Sequence, residues 1–241
     1  MLLLTLPLFA VALIYGAAAL LPAIYLMRYI YRKDRVEKEP AALLMSLLLY
    51  GVFAALIAMA LEGIGTRILD AVLTPNTTGY TIALAFLVVA VSEEGAKLAM
   101  LKRRSWRDIN FNYRFDGIVY AVAVSLGFAA FENIGYVLGY GLSVAPARAV
   151  LAVPGHMCFG VFMGAFYGRA KQCEAYGDLA DTRANLWLGF IAAVLLHGFY
   201  DACAMTNTVA SSIIFIAFVI LMYVVVIKKV NRESINDEPI A

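Results

Sequence analysis

Seven residues of this chain carry chemistry in places where charge is expensive. Glu93, Glu94 and Lys97 lie within five positions, in the order Glu-Glu-x-x-Lys. Glu132 follows Phe128 by four, and Asp201 follows His197 by four, so each pair shares one helix face. His156 and His197 are the only histidines. All seven fall in long apolar runs, where a charge costs about 2.5–3.5 kcal/mol at a helix centre; the five charged ones together cost on the order of 15 kcal/mol. Such residues face a bundle interior and mark a functional site. Fully ionised, four carboxylates against one lysine leave a surplus of negative charge in hydrocarbon. Protons or a cation must balance it.

Two neutral imidazoles beside carboxylate oxygens suit Zn²⁺, which takes nitrogen and oxygen ligands in a tetrahedral shell. A site with one open position acidifies a water, and a free carboxylate nearby can take its proton. His156 and His197 are the candidate ligands, with Asp201 or Glu132 completing the shell. Glu94 is the expected general base, Glu93 its partner, and Lys97 the cation that pairs a glutamate. The two glutamates sit about 100° apart on a helix and cannot face one point equally. His156 follows Pro154-Gly155, a pair able to open a helix locally. Taken singly, each feature has a plainer explanation. An intramembrane Glu–Lys pair is often a structural bridge, and a membrane histidine more often bonds a neighbouring helix than a metal. Their coincidence on four successive spans favours a catalytic or ion-binding site.

The elements that must position these groups are membrane spans. The chain has 241 residues, 63% of them apolar and 15% charged, well beyond the apolar share of a soluble domain. Runs of roughly 20 apolar residues, enough to cross ~30 Å of hydrocarbon, predict seven helices. They are Leu2–Met27, Ala41–Leu61, Thr81–Leu101, Gly117–Gly139, Ala149–Gly168, Ala184–Ala204 and Val209–Ile227. The first lacks a basic lead and is read as a retained span rather than a signal peptide. The fold class is therefore all-α, a single polytopic bundle in the lipid bilayer of the cell membrane, with residues 228–241 as a short polar tail. Of nineteen lysines and arginines, sixteen lie in alternate loops and the tail; only Arg67 and Arg148 lie in the opposite loops, and Lys97 lies in a span. This bias predicts an outside N-terminus and a cytoplasmic C-terminus. Basic residues scattered in this way orient a membrane protein and give no nucleic-acid surface. Cys158, Cys173 and Cys203 show no metal-finger spacing and predict no disulfide framework.

Glu93-Glu94-x-x-Lys97, Phe128-x-x-x-Glu132, His156 and His197-x-x-x-Asp201, in that order, resemble the PrsW family of intramembrane proteases. Asp34 and Glu39-Pro40 ahead of the second span fit the same pattern, and the resemblance runs from about Pro22 to Asp201. The family is distantly similar to the type II CAAX prenyl and bacteriocin-processing proteases, whose motif carries an arginine at longer spacing where Lys97 stands here. Glu132 stands where those relatives carry a histidine. The resemblance implies hydrolysis of peptide bonds in membrane-anchored proteins, including substrates like anti-sigma factors, by a metallo- or a glutamic-type mechanism. The sequence lacks His-Glu-x-x-His, an intramembrane Gly-x-Gly-Asp and a rhomboid-like serine–histidine dyad. The alternative reading is an ion- or proton-coupled transporter, or a non-catalytic sensor, using the same buried groups.

Overall fold

The computed structural model describes residues 7–206 and 208–240, so the start of the first expected span at Leu2 lies outside the described residues. Seven long helical rods follow one another: α1 (Leu8–Lys33), α2 (Ala41–Val72), α3 (78–105), α4 (Asp116–Tyr140), α5 (Leu142–Ala175), α6 (Leu179–Thr206) and α7 (Val209–Ile235). Six are long and apolar enough to cross a membrane. The exception is α3, which carries Glu93, Glu94 and Lys97 in its middle. Among the described residues there is no strand, only a bridge between Tyr113 and Pro239. Cys158, Cys173 and Cys203 are free.

The rods overrun the expected spans because a helix does not stop where hydrocarbon does. The second span was expected to end at Leu61, whereas α2 continues through Glu62 to Val72. Likewise α7 continues to Ile235, into what the sequence predicts as tail. The rest of the tail is held in place. Arg114 N–H donates to the Glu238 carbonyl at 3.0 Å and Ile240 N–H to that of Asn112 at 2.8 Å.

The bundle is built around α4, which is apolar on all sides and buried along most of its length, as a core helix must be. Lipid tails offer no hydrophobic drive between helices, so packing comes from close approach of small residues. Gly127 on α4 lies so near the Leu48 carbonyl of α2 that a Cβ would overlap it. On the other face, a Cβ on Gly164 of α5 would sit 2.6 Å from the Ile118 Cα. These contacts fix the register in which Phe128 and Glu132 on α4 meet His156 on α5. Asn133 extends the arrangement to α1, donating from Nδ2 to the Ala19 carbonyl at 2.8 Å.

Two rods contain wide turns. Residues Leu84–Ala90 of α3 and Arg148–Ala152 of α5 are π-helical, one turn ahead of Glu93 and of His156. A π-turn adds a residue to the winding and re-aims every side chain after it, which is why such turns gather at functional sites. The helix irregularity expected at Pro154-Gly155 thus lies just upstream. Proline has no N–H to give the preceding turn, and from Val153 onward α5 is regular.

Candidate functional site

The centre of the site is the Lys97 ammonium, which is buried and has three acceptors for its three protons. Nζ donates to Glu93 Oε2 at 3.1 Å, to Glu94 Oε1 at 2.8 Å and to His156 Nδ1 at 3.1 Å. It also stands 4.0 Å from the centre of the Phe128 ring, whose face favours a cation. The 100° between the two glutamates is bridged by the lysine, which reaches both from a single turn below.

The imidazoles complete two chains of contacts. Accepting from Lys97 at Nδ1 leaves His156 to donate from Nε2, and Glu132 Oε2 lies 3.1 Å away. The same Glu132 oxygen receives Arg148 Nη2 at 2.8 Å, while Arg148 Nε bonds Asn133 Oδ1 at 2.8 Å. His197 Nδ1 lies 2.9 Å from Glu94 Oε1, and its Nε2 lies 3.3 Å from Asp201 Oδ2 and 3.9 Å from Glu93 Oε2. The two imidazole rings are 5.4 Å apart, edge to face, and Phe159 stacks on His197 at 4.7 Å.

All seven residues singled out in the sequence are therefore in one place, but not in equivalent roles. A cavity of about 310 Å³ is lined by Glu93, Glu132, His156, His197 and Asp201. Glu94 is wholly buried behind it and does not line it. Lys97 is behind it as well. The cavity walls add Glu62, Tyr136, Arg148 and Tyr200, which sequence reasoning passed over. The expected second span ends at Leu61, one residue short of Glu62. The sequence places Arg148 in a loop, yet its guanidinium folds back onto Glu132 and packs 3.7 Å over the Tyr136 ring. A signal for both existed: each is a charge next to a long apolar run.

One atom each from Glu93, Glu94, His156 and His197 lie within 4.8 Å of one another, close enough to share an ion. Asp201 is outside that group, next to His197. Glu94 Oε2 is buried without a hydrogen-bond partner, a free lone pair in a dry place. Two imidazoles and two carboxylates form a donor set of the kind zinc takes, so the residues present fit a metal. Lys97 competes for some of the same atoms, as any cation at this site would.

The family model described as "PrsW family intramembrane metalloprotease" matches residues 39–227. Curated relatives named Protease PrsW align over most of the chain. The one from Geobacillus kaustophilus is 34% identical over 185 residues, covering 77% of each chain. That from Oceanobacillus iheyensis is 30% identical over 220 residues, covering 91% of this chain and 96% of the relative. That from Bacillus subtilis is 32% identical over 206 residues, 84% of this chain and 88% of the relative. No solved structure matches the chain. With its motifs on four helices gathered around one cavity, this multi-pass membrane protein belongs to the PrsW family of intramembrane metalloproteases.

Proposed function

We propose that this protease hydrolyses a peptide bond of a membrane-anchored protein in the 310 Å³ cavity, with Glu93 as the general base. The observation that carries the assignment is that Glu93 is the only carboxylate of the Glu-Glu-x-x-Lys motif lining the cavity. Glu94, expected from the sequence as the base, has Oε1 occupied by Lys97 and His197 and does not line the space where a water would attack. A base must reach the proton it takes, within about 3 Å or through one water.

Glu94 instead holds His197 through Nδ1, so that the ring presents Nε2 toward Asp201 and Glu93. Lys97 donates to both Glu93 and Glu94 and offsets part of their charge. Glu132, fixed by Arg148, receives the Nε2 proton of His156 and sets that ring's tautomer. His156, its Nδ1 given up by Lys97, would hold the metal together with His197 and Glu94, with zinc the ion that best suits two imidazoles and a carboxylate. Bound there, it would polarise the peptide carbonyl and acidify the attacking water. Glu93 takes the water's proton and returns it to the leaving amine. Tyr200 and Arg148, also on the cavity wall, supply donors for charge developing on the carbonyl oxygen. With membership of a protease family, the transporter and sensor readings lose their ground.

The test is co-expression with a tethered single-span substrate, read by fragment size. Glu93→Gln should slow cleavage by about 10²–10⁴-fold while still capturing uncut substrate, since the amide cannot accept a proton. Glu94→Gln should lower bound zinc, measured by elemental analysis, alongside activity. If Glu93→Gln cleaves at the wild-type rate, the base lies elsewhere, and Glu132 is next in line.

A further inference from the structure

A second cluster of acidic side chains lies at the opposite end of α4. We propose that Asp34, Glu39 and Asp116 bind a hard divalent cation, Ca²⁺ or Mg²⁺, which ties the α1–α2 loop to the head of α4. The site is distinct from the protease centre: Asp116 and Glu132 are sixteen residues apart on one helix, about 24 Å along its axis.

Three observations carry the proposal. One carboxylate oxygen from each of the three residues lies within 4.8 Å of the others, and all three residues are buried. Ligands about 2.3–2.6 Å from a common Ca²⁺ are spaced in this way. Asp34 Oδ2 is buried there with no hydrogen-bond partner, although Asp34 is only 1% exposed. A carboxylate oxygen left bare in a closed site costs free energy unless a proton or cation meets it.

The surroundings are made of oxygen. Asp116 Oδ2 accepts N–H from Asn112 at 3.1 Å and Tyr113 at 2.7 Å, which fixes the carboxylate without neutralising it. Tyr120 Oη lies 2.8 Å from Glu39 Oε2 and 2.9 Å from the Asn110 carbonyl, and its one proton serves only one of them at a time. Asn112 Oδ1 is a further buried oxygen without a partner. With no nitrogen or sulfur ligand in the set, the chemistry selects Ca²⁺ or Mg²⁺ over zinc.

Charge points the same way. The groups facing the trio are Lys38 and Glu37 from the α1–α2 loop, Tyr120 on α4, Asp108 from the α3–α4 loop and Asp237 from the tail. Lys38 is the one cation among them, and it spends its ammonium on the carbonyls of Tyr31 and Asp34.

The experiment is thermal unfolding of the full-length protein in detergent at pH 7.5, with CaCl₂ or MgCl₂ titrated against EDTA-washed protein. Terbium luminescence excited through the nearby tyrosine gives a second, direct readout. One of the two ions should raise Tm by about 5–10 °C at a hundredfold excess over Kd. Asp34→Asn and Glu39→Gln should fold, since they relieve like-charge crowding, yet lose both the shift and the terbium signal. His197→Ala should keep both, which separates this site from the protease centre. A wild type that shows no shift and no terbium signal overturns the proposal, in favour of a proton shared among the carboxyls. So does a shift that survives in Asp34→Asn/Glu39→Gln, or one that vanishes in His197→Ala.

Discussion

Lys97 is the residue on which the protease site turns. Its three donors meet three acceptors on two helices, and it is buried to 1% exposure. Removing one member of such a group leaves the others as uncompensated buried charges, at a cost of about 3–5 kcal/mol. Lys97→Met should therefore lower the melting point sharply as well as abolish cleavage. The double change Lys97→Met/Glu94→Gln should recover part of the stability without recovering activity. A comparison of unfolding curves for the two variants in one detergent reads this directly; equal melting points would mean that the pair does not interact. The sequence made Lys97, Glu93 and Glu94 visible because charged residues stand out in an apolar run. It could not show that His156 is the third partner, because that contact spans 59 positions. Nor could it show that Glu93, not Glu94, lines the cavity, since the two are neighbours and only the course of α3 decides between them.

At the scale of the helices, the site depends on backbones packed closely enough to exclude side chains. Gly164 faces Ile118 and Gly127 faces Leu48, at positions where even a methyl group would collide. Gly164→Val should push α5 from α4, costing about 1–3 kcal/mol by overpacking and widening the gap between Glu132 and His156. Cleavage should fall more than stability does, since a misplacement of about 1 Å can cost 10²-fold in rate. Retention of wild-type cleavage would show that the register of the two helices is set elsewhere. Helix number and order were legible from hydropathy, and all seven rods stand where apolar runs predicted them. Their ends were not, because length was inferred from bilayer thickness. That step hid Glu62, one residue past the expected end of α2. The π-turns were also hidden, since no residue type encodes an added residue per turn.

For the whole molecule, charge distribution predicts orientation. Sixteen of the nineteen basic residues lie in alternate loops and the tail, and the positive-inside rule predicts that this side faces the cytoplasm. Cys173 is half-buried near that end of α5 and free. In a Cys203→Ala background, a membrane-impermeant thiol reagent should label it in inside-out vesicles and leave it untouched in intact cells. Labelling of intact cells would reverse the topology.

The long second helix carries one more implication. The 32 residues of α2 span about 48 Å against ~30 Å of hydrocarbon, and its polar extension begins at Glu62, on the cavity wall. Along α4, Glu132 is eight residues from Tyr140, about 12 Å, but sixteen from Asp116. On the proposed assignment the scissile bond would lie about two helical turns from the nearer end of α4. A substrate helix would then have to unwind its last two turns to present an extended strand, leaving their amides to be hydrated from the adjoining aqueous phase. Substrates with glycine or proline in those turns should be consumed fastest, whatever side chains flank the cut. Selection among them would then be governed by how easily a helix end melts.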